Sequence, residues 1–211
     1  MLSKYVKSNY EEGKADMMTV FMVVAENHIE KNGKIGMITL PSWLFLSTFE
    51  DLRKNIVVNY HIDSLLHMGR GIFGIDWGST AFVVSNCINH AGGTYFRLHK
   101  RNFQHIYYYH IEQLFLKALN NHNFKYDFDS YRDDDVVSKD IIFESSETGL
   151  QLYYPNVSQQ DFEKIPGCPI GYWVSKNMII AFQNSLADVA ITREGLSPAD
   201  VDRFLRLWHE I

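Results

Sequence analysis

Two strand-like segments joined by a short, glycine-rich stretch constrain the fold of this chain more than any other feature. Residues 61–68 and 79–85 have the composition of strands, and the stretch between them is too short to hold a helix. Two parallel strands need a crossover of a dozen or more residues, which is usually helical. The sequence therefore predicts that these two strands pair as an antiparallel hairpin.

Upstream of this hairpin the chain alternates helix and strand. A helix is predicted over 14–32, where apolar residues recur at helical spacing, and a second over 47–58. Residues 34–40 between them are almost continuously apolar, as in a strand that helices cover on both faces. The predicted fold is α/β: the back half of a methyltransferase-type, Rossmann-like sheet, ending in an antiparallel hairpin at the sheet edge beside strand 34–40.

The pattern loosens after residue 86, and a domain boundary is predicted between 86 and 94. Residues 1–90 form the α/β unit, and 91–211 form a mixed, loop-rich helical region. Proline excludes 153–156 and 165–169 from central strands and helix interiors. The elements expected in this second region are a strand at 94–98, a helix at 110–120, a polar loop at 124–140, and helices at 178–190 and 198–209.

Composition bounds the class of protein. The chain has 211 residues, 46% of them hydrophobic, which indicates a globular protein, and its net charge is −5. That charge argues against nucleic-acid binding over the whole surface, but a local basic groove stays possible. Cys87 and Cys168 are far apart without metal-ligand spacing, and no apolar run is long enough for a membrane span. We expect a cytoplasmic bacterial protein with reduced thiols, no metal and no membrane partner.

The motif Gly69-Arg70-Gly71-Ile72-Phe73-Gly74 is a literal GxGxxG that directly follows a strand. A dinucleotide site needs a helix to open at the third glycine, so that its N-terminus can bind the pyrophosphate. Here a β-branched and aromatic strand follows instead. We therefore interpret the glycines as shaping a loop of the hairpin.

Other polar and aromatic clusters have ordinary explanations. The aspartates at 127–135 lack the glycine and final glutamate of a calcium loop, and His105 and His110 lack the context of a zinc site. Tyr107, Tyr108 and Tyr109 could stack on bases, but beside an amphipathic helix they more often pack in a core. The run 99–101 could bind phosphate or be a plain surface patch.

Several blocks resemble the gamma-type adenine-N6 DNA methyltransferases, including those of the BREX phage-defence systems. The blocks that carry the resemblance are 9–16 (NYEEGKAD), 16–21 (DMMTVF), 33–43 (GKIGMITLPSW), 67–73 (HMGRGIF), 79–84 (STAFVV), 95–104 (YFRLHKRNFQ), 153–157 (YYPNV) and 203–208 (RFLRLW). They extend over essentially the whole chain. The resemblance implies that residues 1–90 are the C-terminal half of a catalytic domain, and 91–211 a linker and the start of a target-recognition region.

The resemblance also implies a site. The family's Asn-Pro-Pro-Tyr motif and its glycine-rich S-adenosylmethionine loop are absent here and are expected upstream of residue 1, so the chain itself has no cofactor-binding or catalytic residue. Phe73 corresponds to the aromatic residue that stacks on the flipped target adenine. Its alternative role is to plug the sheet edge. Arg70, Lys100 and Arg101 are candidates for contacts with the backbone of double-stranded DNA.

Two functions from different classes stay open. The chain is either part of an adenine-specific DNA methyltransferase, inactive without the half that binds S-adenosylmethionine, or a non-catalytic DNA-recognition or interaction subunit that shares the fold. Its expected partners are double-stranded DNA and either that half or other phage-defence proteins.

Overall fold

The computed structural model describes residues 2–73, 77–88, 91–101, 104–132 and 142–184. Within these ranges the helices are α1 (Leu2–Asn9), α2 (Met17–His28), α3 (Glu50–Asn59), α4 (Tyr108–Asn120), α5 (Gln160–Glu163) and α6 (Lys176–Ala181). The strands are β1 (Lys34–Thr39), β2 (His61–Arg70), β3 (Gly78–Ser85), β4 (Gly93–Arg97), β5 (Lys125–Tyr126), β6 (Leu150–Gln151) and β7 (Tyr153–Val157). None of the helices in this part of the chain is long and apolar enough to cross a bilayer.

Five strands form one mixed sheet in the order β1-β3-β2-β4-β7. The predicted hairpin is confirmed, because β2 and β3 pair antiparallel and β3 also pairs antiparallel with β1. Its predicted place at the sheet edge is wrong. Strand β4 adds to β2 in parallel, and β7 then adds antiparallel to β4, so the hairpin lies in the middle of the sheet.

The two faces of this sheet bury two separate apolar cores. Successive residues of a strand point to opposite faces, so Tyr95 of β4 belongs to one core and Phe96 to the other. The first core includes α3 side chains such as Leu52 and Ile56, and the second includes α4 side chains such as Leu114. Residues on both sides of the predicted boundary between 86 and 94 thus share one sheet, while the division into two domains stays a prediction.

Strand β1 is covered on one face only within the described ranges, which corrects the expectation of helices on both faces. Met37 packs against the first core, whereas Ile38, which points the other way, is 60% exposed. The strand's second edge carries no partner strand in the described sheet. The apolar pattern of 34–40 thus correctly predicted a strand, but within the described ranges only one face of that strand is covered by other residues.

The helices of the first half are shorter than predicted. Helix α2 begins after Asp16, whose carboxylate caps it by accepting a hydrogen bond from the Met18 N–H at 2.8 Å. It ends at His28, and Asn32 rather than Gly33 takes the left-handed conformation, at φ 66°. The predicted second helix starts with a short 3₁₀ turn at Ser47–Phe49, and the α-helical part begins at Glu50.

The second half contains the predicted strand and helix as β4 and α4. Pro155 lies in β7, an edge strand, where a missing N–H costs no ladder hydrogen bond on the outer side. The predicted loop at 124–140 begins with the two-residue strand β5, and its residues 133–140 lie outside the described ranges. Of the helix predicted at 178–190, α6 forms the first part, and residues 185–211, with the helix at 198–209, lie outside as well.

Candidate functional site

Four strand ends lie side by side at one end of the sheet, which we call the carboxyl edge because three of the strands have their C-termini there. Strands β1, β2 and β4 end at this edge, and the antiparallel β3 begins there. A cleft of about 440 Å³ opens at this place. Its walls are Asp16, Leu40, Pro41, Ser42, Phe45, Leu46, Phe49, Trp77 and Gly78. A crevice outside the carboxyl ends of strands is the usual ligand site of open α/β sheets.

The cleft is mostly apolar with a few polar groups. Trp77, just before β3, is 64% exposed and offers a flat aromatic surface at the mouth. Asp16 and Ser42 also line the cleft and bring a carboxylate and a hydroxyl group to it. The Asp16 side chain is held in place by the hydrogen bond with which it caps α2. Such a cleft suits a flat heterocycle with a hydrogen-bonding edge.

Asp16, Ser42 and Trp77 were not predicted from the sequence to line this cleft. Pro41-Ser42 directly after the apolar segment 34–40 was the signal that could have identified this edge, because ligands bind beyond the carboxyl ends of strands. Trp77 could not be placed, since its position depends on how β3 returns beside β1.

The predicted stacking residue Phe73 lies in the connection between β2 and β3, three residues beyond the end of β2. Its side chain is 54% exposed. Residues 74–76 of this connection lie outside the described ranges, and β3 begins at Gly78, so the glycine motif is followed by a strand. The stacking role of Phe73 stays a prediction.

The base of this loop is fixed by the segment 104–106. The Arg70 N–H donates to the Gln104 carbonyl at 3.0 Å, and the Ile106 N–H donates to the Arg70 carbonyl at 3.4 Å. Gly71 adopts φ 89°, and a Cβ there would collide with the His105 ring. The loop that carries Phe73 therefore leaves the sheet in a direction that requires glycine at position 71.

The three predicted DNA-backbone residues come together around Gln104. Besides binding Arg70, Gln104 accepts a hydrogen bond from the Lys100 N–H through its side chain at 3.0 Å, and its own N–H donates to the Arg101 carbonyl at 2.9 Å. Lys100 forms an ion pair with Asp129, whereas Arg101 is exposed. The pair with Lys100 lowers the pKa of Asp129.

The described residues do not by themselves fit S-adenosylmethionine. Gly69 belongs to β2 and Gly71 to the hairpin loop, so neither opens a helix whose N–H groups could hold the ligand. The carboxylate in the cleft, that of Asp16, is engaged as a helix cap.

Comparisons with known proteins identify relatives. Residues 2–73 match the family model described as Eco57I restriction-modification methylase. The whole chain aligns at 32% identity with the adenine-specific methyltransferase PglX of Lacticaseibacillus casei (strain Zhang) and at 28% with the adenine-specific methyltransferase BrxX of Escherichia coli O9:H4 (strain HS). It spans 16% and 15% of the length of these two relatives.

Among solved structures, the type I restriction-modification methyltransferase subunit from Streptococcus thermophilus is 17% identical, with a TM-score of 0.42 over 61% of this chain and 30% of that one. The M protein of the type I restriction enzyme EcoKI is 12% identical, with a TM-score of 0.36 over 40% of this chain and 20% of that one.

By sequence, the chain is similar to adenine-specific methyltransferases, and its residues 2–73 match the family of restriction-modification methylases. Within that class, its whole length is related to a segment of PglX and BrxX.

Proposed function

We propose that this chain is the part of an adenine-specific DNA methyltransferase that receives the target base. The complete enzyme transfers the methyl group of S-adenosylmethionine to N6 of adenine in double-stranded DNA, and phage defence is its biological role. The observation that carries the proposal is the match of the whole chain to PglX, combined with an aromatic-lined cleft at the carboxyl edge of the sheet.

In this proposal the cleft binds the adenine after it has left the DNA stack. A flipped base needs a flat apolar partner and polar groups that can bind its edge. Phe73 is exposed in the loop whose far end, at Trp77, lines the cleft, and in this proposal Phe73 provides the stacking face while Trp77 forms a wall. Arg70, Lys100 and Arg101, grouped around Gln104, contact the phosphates on either side.

S-adenosylmethionine is held by the portion of a full-length methyltransferase that this chain does not span. The surface that would receive that portion is the open side of β1, with its free edge and the exposed Ile38. Phe21 of α2 is also exposed beside this strand, and it lines the same groove as Ile35. An unpaired strand edge next to exposed apolar side chains favours addition of another strand. The chain alone is then inactive.

The test is a chimera in which this chain replaces the corresponding segment of the L. casei PglX. We expect the chimera to methylate adenine in duplex DNA. Phe73→Ala should lose about ten- to hundredfold in rate or base binding, because stacking on a base contributes roughly 1–3 kcal/mol. Phe73→Trp should retain more activity than Phe73→Ala, since a flat face is what the base requires.

Fluorescence of 2-aminopurine at the target position reports base flipping in the same samples, and S-adenosylmethionine affinity should be unchanged in both variants. If Phe73→Ala flips and methylates like the parent, Phe73 has only a structural role at the sheet edge. If the chimera folds and binds DNA at its target site but never methylates, the second function, a non-catalytic DNA-recognition or interaction subunit, is supported instead.

A further inference from the structure

A second cavity, of about 320 Å³, lies beside the cleft and shares Phe45 with it. We call it the basic pocket, and it is lined by Phe45, His67, Arg97, His99, Lys100 and Trp173. In the parallel pair of β2 and β4, His67 lies opposite Arg97, so the pocket sits at the same carboxyl edge as the cleft. All of its ionisable residues are bases, and no acidic residue lines it.

Arg97 is held in this pocket by groups that leave its charge unneutralised. Its guanidinium carbon lies 4.7 Å from the centre of the Trp173 ring, and Nη2 donates to the Lys100 carbonyl at 3.1 Å. Within the described ranges no carboxylate forms an ion pair with Arg97. The Arg97 side chain also contacts the Tyr154 hydroxyl. Stacking on an aromatic face fixes the planar fork of an arginine, and the N–H groups that these neutral contacts do not use stay available.

His99 adds an unsatisfied polar group to the same wall. Its side chain is 2% exposed, and neither ring nitrogen makes a hydrogen bond of good geometry in the part of the chain that the structure describes, although the Arg101 backbone lies close enough to act on the ring. The pKa of His99 is lowered to about 4, mainly by burial and to a smaller extent by the charge of Arg97, while the contact with the Arg101 backbone acts in the opposite direction. An unsatisfied buried imidazole is costly, and an anion in the pocket would give it an acceptor and favour its charged form.

We propose that the basic pocket binds one phosphate of the DNA backbone next to the target adenine, with Arg97 and His99 as its ligands. This inference rests on the proposed function, because it takes the neighbouring cleft as the site of the flipped base. A guanidinium fork matches the paired oxygens of a phosphate. Contacts to phosphates fix the register of a protein on DNA without reading sequence. Lys100, already paired with Asp129, has a secondary role.

The first experiment asks whether the pocket binds phosphate at all. Inorganic phosphate is titrated into the labelled 211-residue chain at constant ionic strength, and the His99 ring and Arg97 side-chain signals are followed by NMR. We expect saturable shifts in both and a rise of at least one unit in the pKa of His99. Arg97→Gln should weaken phosphate binding at least tenfold. Lys31→Gln, which removes a positive charge at the opposite edge of the sheet, should not change it.

The second experiment asks whether DNA supplies the phosphate. Binding of a short duplex is measured by fluorescence anisotropy over a range of salt concentrations. Each phosphate neutralised contributes about 0.9 to the slope of log affinity against log salt. Arg97→Gln should reduce that slope by about this amount, whatever the duplex sequence. Arg97→Lys should keep the slope but bind more weakly, because it keeps the charge and loses the fork, and Lys31→Gln should behave like the parent.

The outcomes separate the two proposals. Absence of saturable shifts in the folded parent overturns the pocket as an anion site, whether or not DNA binds. Phosphate binding together with an unchanged slope in Arg97→Gln overturns the assignment to DNA and indicates a free phosphate-bearing ligand. Phosphate binding by a chain and chimera that never bind duplex contradicts the proposed function, while the phosphate chemistry of the pocket stands.

Discussion

Two buried polar side chains, Arg53 and Gln159, tie turns together that are distant in the chain. Arg53 is 1% exposed and donates four hydrogen bonds of 2.6–2.9 Å to main-chain carbonyls of Trp43, Leu46, Gly167 and Cys168. Gln159 donates to two carbonyls and accepts from one N–H at the junction of α3 and β2. Buried backbone N–H and C=O groups need hydrogen-bond partners, and at these turns the side chains of Arg53 and Gln159 are those partners.

Arg53→Lys should destabilise the fold although it keeps the charge. An ammonium group has a different shape and cannot reach all four carbonyls, so some of them stay buried without a partner. The expected loss in free energy of unfolding is on the order of 3 kcal/mol, measured by urea denaturation. The exposed Arg101→Lys is the control and should stay within about 0.5 kcal/mol of the parent. Equal midpoints for both variants would refute this account of Arg53.

Glu26 gives the chain a pH dependence of stability. Its carboxyl is buried and accepts a hydrogen bond from Asn55 at 3.0 Å. Burial raises its pKa from 4.5 to about 7, and the charge of Glu12 raises it as well, against the effect of Asn55. Between these two values the folded protein binds more protons than the unfolded chain, so stability falls as the pH rises through this window.

Glu26→Gln should therefore be more stable than the parent at pH 8, by about 1–3 kcal/mol, and the difference should shrink towards pH 4.5. Glutamine can still accept the hydrogen bond from Asn55. Urea unfolding at a series of pH values measures the effect, and Glu112→Gln on the exposed face of α4 is the matched control. A pH-independent difference would show that the Glu26 carboxyl is not the titrating group.

Among the elements, the hairpin β2–β3 shows how loop length and conformation act together. The seven-residue connection, 71–77, forces the antiparallel pairing, and Gly71 determines how the connection leaves β2. Strand β4 then returns to the free side of β2, so an element predicted for a separate region completes the sheet. Local composition predicted that these segments are strands. Their positions in the sheet depended on pairing with residues far along the chain.

Gly71→Ala should be destabilising, whereas Gly36→Ala should not. Gly71 has a positive φ and the His105 ring occupies the place of a Cβ, while the Cβ of Gly36 would meet no atom within 4 Å. A left-handed conformation in a non-glycine residue costs about 1–3 kcal/mol. Thermal unfolding compares the two variants, and hydrogen exchange of residues 70–73 locates the change. Similar losses at both positions would contradict the requirement for glycine at the loop.

For the molecule as a whole, the open side of β1 and the positions of the glycines bear on whether the chain alone can bind S-adenosylmethionine. We expect isothermal titration calorimetry to detect no S-adenosylmethionine binding by the isolated chain, because the described residues contain no glycine-rich turn that opens a helix at the site. The chimera with PglX serves as the positive control. Stoichiometric binding at micromolar affinity would contradict this prediction and the division of labour proposed above.

The sequence by itself determined what depends on neighbours in the chain. Apolar spacing located α2, α3 and α4, and a loop too short for a crossover required an antiparallel hairpin with Phe73 in its connection. The resemblance of successive blocks gave the methyltransferase class, which the relatives support.

The tertiary structure alone decided what depends on residues distant in the chain. The hairpin is central because β4 returns to β2, and Ile38 is exposed because β1 is covered on one face within the described ranges. Arg97 meets Trp173, and Arg53 meets the carbonyls of a turn more than a hundred residues away, through packing that leaves no periodic pattern. Periodicity reports that a side chain is buried, but only the packed fold determines which group it is buried against.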